Sequence, residues 1–143
     1  MEQWEKPLQP EETEAFRGWV DKHKQSFRRA LEAGVPIAVG TDMYRVSPLD
    51  CYVKELDLMV ANGMAPAAAL RAATATGAAL LGEENKFGVL APGMKADLIA
   101  IEGNPLENIR ALLNVALVMK HGKEYVSRGV QQVDRVGHSS GMA

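Results

Sequence analysis

The sequence GVPIAVGTD at residues 34–42 is the main indication of the fold. Val35 to Val39 form a short apolar run, rich in β-branched residues, which is typical of a strand buried in a parallel sheet. The run leads to Asp42, and α/β barrels place their active sites at the carboxyl ends of their strands. The pattern therefore predicts an α/β fold in which Asp42 is a candidate catalytic acid. An aspartate that serves only as a turn or N-cap residue is the alternative interpretation.

A helix is predicted immediately before this run. It begins at Pro10 with acidic residues in its first turn, where the helix dipole favours them, and it stops at Gly34, a typical C′ glycine. A helix followed within two residues by a strand is half of a βαβ unit. Its apolar residues recur at helical spacing and predict one buried face: Phe16, Trp19, Val20, Phe27, Ala30 and Leu31.

Two helices and a small β segment are predicted further along the chain. Pro48, preceded by a capping serine, starts a helix that ends at Asn62-Gly63, and an alanine-rich helix follows over residues 66–82. Beyond it the sequence is punctuated by Gly and Pro. The strand-like runs there are 98–101, 115–119 and 123–126, the last two joined as a hairpin across His121-Gly122.

Composition excludes several classes of function. The chain has 143 residues, 47% of them hydrophobic and 24% charged, which is ordinary for a single globular domain. A net charge of −2 argues against a nucleic acid or an acidic membrane surface as partner. No apolar run reaches the ~20 residues that span a bilayer, and residues 1–7 do not resemble a secretory signal. The single cysteine fits a reducing compartment, so we expect a cytoplasmic location.

Three stretches, in this order and spacing, resemble the C-terminal part of the amidohydrolase superfamily, in its imidazolonepropionase-like and Xaa-Pro-dipeptidase-like branch. They are Ala33 to Asp42, Glu55 to Gly82, and Gly88 to Lys123 with its GVLAPGMKADL segment. The resemblance implies the end of a (β/α)₈ barrel and C-terminal strands of a composite β-sandwich. The domains expected from it are residues 1–84, the last barrel helix and strand with the following helices; 85–127, a β-sandwich segment; and 128–143, a flexible tail.

The resemblance also implies a chemistry. Members of the superfamily hydrolyse amide or peptide-type C–N bonds with water activated by a divalent metal, usually zinc. Asp42 matches the family's last metal ligand and would also act as general base on the metal-bound water. Tyr44 and Arg45 follow this strand and are candidates for contact with a small-molecule or dipeptide-like substrate, because barrel loops shape specificity.

Most of the family's metal ligands have no counterpart in this chain. The sequence contains no His-x-His pair, and its three histidines, His23, His121 and His138, do not fall where the family has ligands. A hydrolytic zinc needs about three protein ligands and an open position for water. We therefore expect the isolated chain to be inactive, as the C-terminal portion of a metal-dependent amidohydrolase.

Two alternatives remain open. The chain could be a non-catalytic remnant that forms a homo-oligomer or complements an N-terminal fragment, because exposed sheet edges invite pairing. It could also be a small hydrolase with a different site, for example at Cys51, although no flanking histidine suggests a base for it. Residues 95–97, Lys-Ala-Asp, are expected to be structural and to set a turn of the β segment.

Overall fold

Helices occupy the first part of the chain and an antiparallel sheet the second. The computed structural model of the protein describes residues 10–42 and 48–127. The described elements are α1 (Pro10–Glu32), α2 (Pro48–Ala61), α3 (Pro66–Ala72), α4 (Ala75–Leu80), β1 (Leu98–Ile101), a 3₁₀ helix (Ile109–Leu113), β2 (Val115–Lys120) and β3 (Lys123–Ser127). This mixture of helices and sheet is consistent with the predicted α/β class.

Local sequence signals account for the ends of the first two helices. Gly34 has a φ of +68°, and its amide bonds to the carbonyl of Leu31 while the amide of Val35 bonds to that of Ala30, each at 3.0 Å. This is a Schellman motif, in which a glycine in the left-handed region satisfies the last carbonyls of a helix. Gly63, with a φ of +105°, closes α2 by the same pattern of bonds. The predicted ends of both helices are confirmed.

The predicted strand at residues 35–39 is not a strand in the structure. Residues 35–42 have no regular secondary structure, and the amide of Val39 bonds to the carbonyl of Ala72 on α3 at 3.2 Å. Ile37 and Val39 pack against the hydrophobic core, as their apolar character predicts. A β-strand needs a paired neighbour, and none of the described strands pairs with this segment. The strand prediction is therefore wrong for the described chain.

The alanine-rich segment is divided into two helices instead of one. The predicted helix over residues 66–82 breaks at Ala73 and Thr74, and Thr74 has φ −132° and ψ −92°, far from helical values. The hydroxyl of Thr74 donates to the carbonyl of Leu70 at 2.7 Å. The prediction was wrong on this point because alanine favours a continuous helix, whereas the break depends on residues elsewhere in the chain.

The core lies where α2, α3 and the 3₁₀ helix meet. Leu56 of α2 and Ala69 of α3 are fully buried, and Ile109 of the 3₁₀ helix is 4% exposed beside them. Phe27 and Leu31 of α1 cover this cluster, as predicted. The N-terminal part of the predicted apolar face of α1 does not cover the core, since Trp19 is 64% exposed. None of the helices among the described residues has the length and apolar character needed to cross a membrane.

The sheet has the order β1-β2-β3 with antiparallel pairing throughout. Leu98 of β1 is opposite Met119 of β2, which confirms the predicted strand at 98–101. β2 and β3 form the predicted hairpin, with His121 and Gly122 in the turn at φ +49° and +74°. Two positive φ values in a two-residue loop match the right-handed twist of the paired strands.

Candidate active site

Asp42 lies at the end of the segment that crosses the core beside α3. Its side chain is exposed, and its backbone has a φ of +46°. Aspartate is among the few residues with a side chain that tolerate the left-handed region, because its carboxylate can bond locally. The structure therefore places this acid at the surface, three residues beyond the Val39 amide that bonds to α3.

The two predicted substrate-contacting residues cannot be compared with the structure. Tyr44 and Arg45 fall within residues 43–47, outside the described residues. Their assignment stays a prediction. The predicted tail at 128–143, with His138, also lies outside the described residues.

The other candidate metal-binding side chains do not gather around Asp42. His23 stacks on Trp19 of α1 with ring centroids 6.1 Å apart, and His121 lies in the hairpin turn. Cys51 is a half-buried free thiol on α2. Within residues 10–42 and 48–127, no group of three or more His, Cys, Asp or Glu side chains is arranged to hold a metal ion. Asp42 alone does not fit a hydrolytic zinc, which needs about three protein ligands.

An open apolar groove of about 650 Å³ lies among the described residues. Its walls come from residues 38–39, from Tyr52 of α2, from α3 and α4, from residues 87–90, and from Asp97 and β1. Three polar side chains in its walls are already hydrogen-bonded. The Tyr52 hydroxyl donates to the Ala73 carbonyl at 3.0 Å, and the Thr74 hydroxyl donates to the Leu70 carbonyl at 2.7 Å. The Asp97 carboxylate accepts from the His121 amide and the Lys120 ammonium. Burial raises the pKa of Tyr52, which therefore remains a protonated donor at neutral pH. The groove therefore offers mainly apolar surface, and the Asp97 carboxylate in its wall is bonded to the hairpin turn.

Asp97 is bonded to the turn between β2 and β3, and its role is structural. One carboxylate oxygen accepts from the His121 amide at 2.6 Å, and the other accepts from the Lys120 ammonium at 3.1 Å. The His121 amide is the main cause of a pKa of Asp97 below its ordinary value, and Lys120 adds to it. The His121 imidazole is 3.9 Å away. Asp97 thus fixes the hairpin turn, which confirms the predicted structural role of residues 95–97.

Comparison with known proteins gives the family. The sequence profile of the amidohydrolase family matches residues 11–125. Ochratoxinase of Aspergillus niger is 37% identical over 116 residues, which cover 78% of this chain and 24% of that enzyme. Imidazolonepropionase of Geobacillus kaustophilus is 34% identical over 110 residues, covering 71% and 25%. The chain therefore belongs to the amidohydrolase family, as its sequence resemblance implied.

Solved structures agree with this assignment. A Xaa-Pro dipeptidase with bound methionine in its active site superposes with a TM-score of 0.68 at 43% identity, over 73% of this chain and 25% of that one. The A. niger ochratoxinase structure gives a TM-score of 0.74 at 34% identity, over 87% and 29%. The structural neighbours thus have amidohydrolase-type folds. The chain spans about a quarter of the length of the curated relatives it matches.

Proposed function

We propose that this chain is the C-terminal portion of a metal-dependent amidohydrolase that hydrolyses amide or peptide-type C–N bonds in a small or dipeptide-like substrate. The family match over residues 11–125 carries the proposal. Hydrolytic relatives such as ochratoxinase and imidazolonepropionase support the reaction class. Tyr44 and Arg45 remain our candidates for substrate contact.

Asp42 is the group that we propose the chain contributes to the active site, as a metal ligand and a general base. Its surface position leaves the carboxylate accessible to ligands supplied from elsewhere. The described residues do not complete a metal site. The remaining ligands of a divalent metal, for which zinc is the family expectation, must then come from outside these residues, and the isolated chain is inactive.

The proposed domain layout follows the family. Residues 1–84 would supply the last helix and strand of a (β/α)₈ barrel with the following helices, and 85–127 a segment of the β-sandwich. The run at 35–39 is apolar and belongs to no sheet in the described chain, as would be expected of a barrel strand separated from its neighbours. The three-stranded antiparallel sheet supports the second assignment.

Reassembly with the missing portion of a relative tests the function. The 143-residue chain is produced together with the part of A. niger ochratoxinase that lies outside the matched segment, and hydrolysis of N-acyl amino acids and dipeptides is measured. We expect activity only in the mixture. Asp42→Asn should lower it by at least about 100-fold, since a general base contributes about that much.

The matched control is Asp50→Asn, which removes an exposed carboxylate from the first turn of α2. It should leave hydrolysis unchanged. A reassembled Asp42→Asn enzyme as active as the unsubstituted one would contradict the assignment of Asp42.

A structural module is the second candidate function, either as a homo-oligomer or as a partner for an N-terminal fragment. The observation that favours it is the apolar rim of the groove, where Leu80, Leu81 and Leu90 are 77%, 70% and 82% exposed. Exposed apolar clusters of this kind mark interaction surfaces.

Light scattering after size-exclusion chromatography tests this second candidate. We expect self-association that Leu90→Lys weakens. Leu106→Lys, which changes a 54% exposed leucine that does not line the groove, should not weaken it. A monomeric unsubstituted chain would exclude self-association as its function.

A further inference from the structure

The carbonyl groups at the break between α3 and α4 accept hydrogen bonds that a continuous helix would not make. In a continuous helix, the carbonyl of residue i accepts from the amide of residue i+4. Here the Ala69 carbonyl accepts from the Ala73 amide at 3.0 Å, and the Thr74 carbonyl from the Ala78 amide at 2.9 Å. The carbonyls of Leu70 and Arg71 are both satisfied by Thr74, through its hydroxyl and its amide.

The two carbonyls at the break itself accept from outside the helix pair. The Ala72 carbonyl accepts from the amide of Val39 at 3.2 Å, and the adjacent Ala73 carbonyl accepts from the hydroxyl of Tyr52 at 3.0 Å. A continuous helix over residues 66–82 would direct these carbonyls to Thr76 and Gly77. The break is therefore what makes two neighbouring acceptors available to other segments.

Both external donors flank Asp42 along the chain. Val39 lies three residues before it, and Tyr52 lies on α2, the helix that follows it. Val39 packs against the core, and Tyr52 is half-buried beside it. The segment that leads to Asp42 and the helix α2 are thus bonded to consecutive peptide groups at the end of α3.

We infer that the α3–α4 break is a positioning element for Asp42, and that Tyr52 is a positioning residue that acts through the Ala73 carbonyl. The inference rests on the proposed role of Asp42 at the active site. The Val39 bond holds the segment that ends in Asp42 against the end of α3, and the Tyr52 bond holds α2 against the adjacent peptide group of the same helix end. Without the Tyr52 hydroxyl, only the Val39 bond of this pair remains, and the Ala73 carbonyl loses its partner.

The test uses the ¹⁵N-labelled 143-residue chain and two NMR measurements. Amide hydrogen exchange at Val39 reports the stability of its bond to Ala72, and the three-bond HN–Hα coupling of Asp42 reports its positive φ. In Tyr52→Phe we expect Val39 to exchange roughly fivefold faster relative to the amides of β2, because one net hydrogen bond is lost locally. The Asp42 coupling should move away from its value in the unsubstituted chain.

Two variants serve as controls. Tyr125→Phe makes the same chemical change at a 62% exposed tyrosine of β3 and should alter neither measurement. Thr74→Val removes the hydroxyl that bonds to Leu70 but leaves the partners of the Ala72 and Ala73 carbonyls in place. It should also leave the Asp42 coupling unchanged.

Three outcomes would overturn the inference. The first is a Val39 exchange rate in Tyr52→Phe that rises no more than those of the β2 amides, and the second is an unchanged Asp42 coupling. The third is a Tyr52→Phe chain without a folded spectrum, since the hydroxyl would then be needed for folding itself. Neither measurement requires metal or activity, so the result is independent of whether Asp42→Asn abolishes hydrolysis after reassembly.

Discussion

Asp97 connects the start of β1 to the β2–β3 turn through both of its carboxylate oxygens. Because the His121 amide, with Lys120, holds the pKa of Asp97 below its ordinary value of about 3.9, the folded state binds the Asp97 proton less readily than the unfolded state does. The resulting stabilisation is fully present above about pH 4. It declines as the pH falls further and is lost once the pH is below the lowered pKa.

Substitution of this carboxylate should therefore remove part of the acid sensitivity of the fold. We expect Asp97→Asn to be less stable than the unsubstituted chain at pH 7 and to lose less stability between pH 7 and pH 2.5. Urea denaturation at pH 7, 4 and 2.5 measures the difference. Glu84→Gln, at an exposed carboxylate outside the helices and strands, is the control and should follow the unsubstituted chain at all three pH values. Parallel curves for Asp97→Asn and the unsubstituted chain would show that the carboxylate does not stabilise the turn.

At the scale of elements, a loop glycine packs against the same helix break. A Cβ at Gly88 would lie 2.8 Å from the Cβ of Ala78, 3.1 Å from the Cα of Ala75 and 3.2 Å from the Thr74 carbonyl oxygen. Gly93, in the same region, has nothing within 4 Å of its Cβ position, and both glycines have positive φ, +103° and +86°. The pair therefore separates the cost of backbone strain from the cost of a steric clash.

We expect Gly88→Ala to destabilise the chain more than Gly93→Ala does. Both variants carry the strain of alanine at positive φ, about 1–2 kcal/mol, and Gly88→Ala adds about 1–3 kcal/mol of overpacking against α4. The free energy of unfolding from urea denaturation at pH 7 gives the comparison. Equal losses for the two variants would mean that the loop moves away from α4 without cost.

The elements also show which parts of the fold are encoded locally. The helix starts at Pro10 and Pro48, the helix ends at Gly34 and Gly63, and the hairpin were all predictable, because each depends on a few adjacent residues. The α3–α4 break could not be predicted, because the two carbonyls that it releases from the helix accept from donors distant in sequence, Val39 and Tyr52. The sequence also did not show that residues 35–42 lack a paired strand, since an apolar run indicates burial but does not supply a neighbouring strand.

On the scale of the whole molecule, one part of the candidate site could be predicted from the sequence and the rest could not. Asp42 was identified from the segment that ends in it, and the structure places it at the surface after Val39. The ligands that would accompany it could not be derived, because the sequence provides no other histidine or acid at the family's positions. The described part of the chain likewise brings no metal-binding group of side chains together.

Because the described residues form no metal-binding group of side chains around Asp42, the metal content of the chain can be predicted. After dialysis without chelator, elemental analysis of the 143-residue chain should find well under one zinc or other divalent ion per chain, because a single carboxylate does not retain such an ion against water. Asp42→Asn should give the same low value, which makes it the matched control. About one ion per chain, lost in Asp42→Asn, would contradict the prediction. It would mean that ligands from the remaining residues or from a second copy complete a site around Asp42, and the chain would then be a candidate hydrolase without any N-terminal partner.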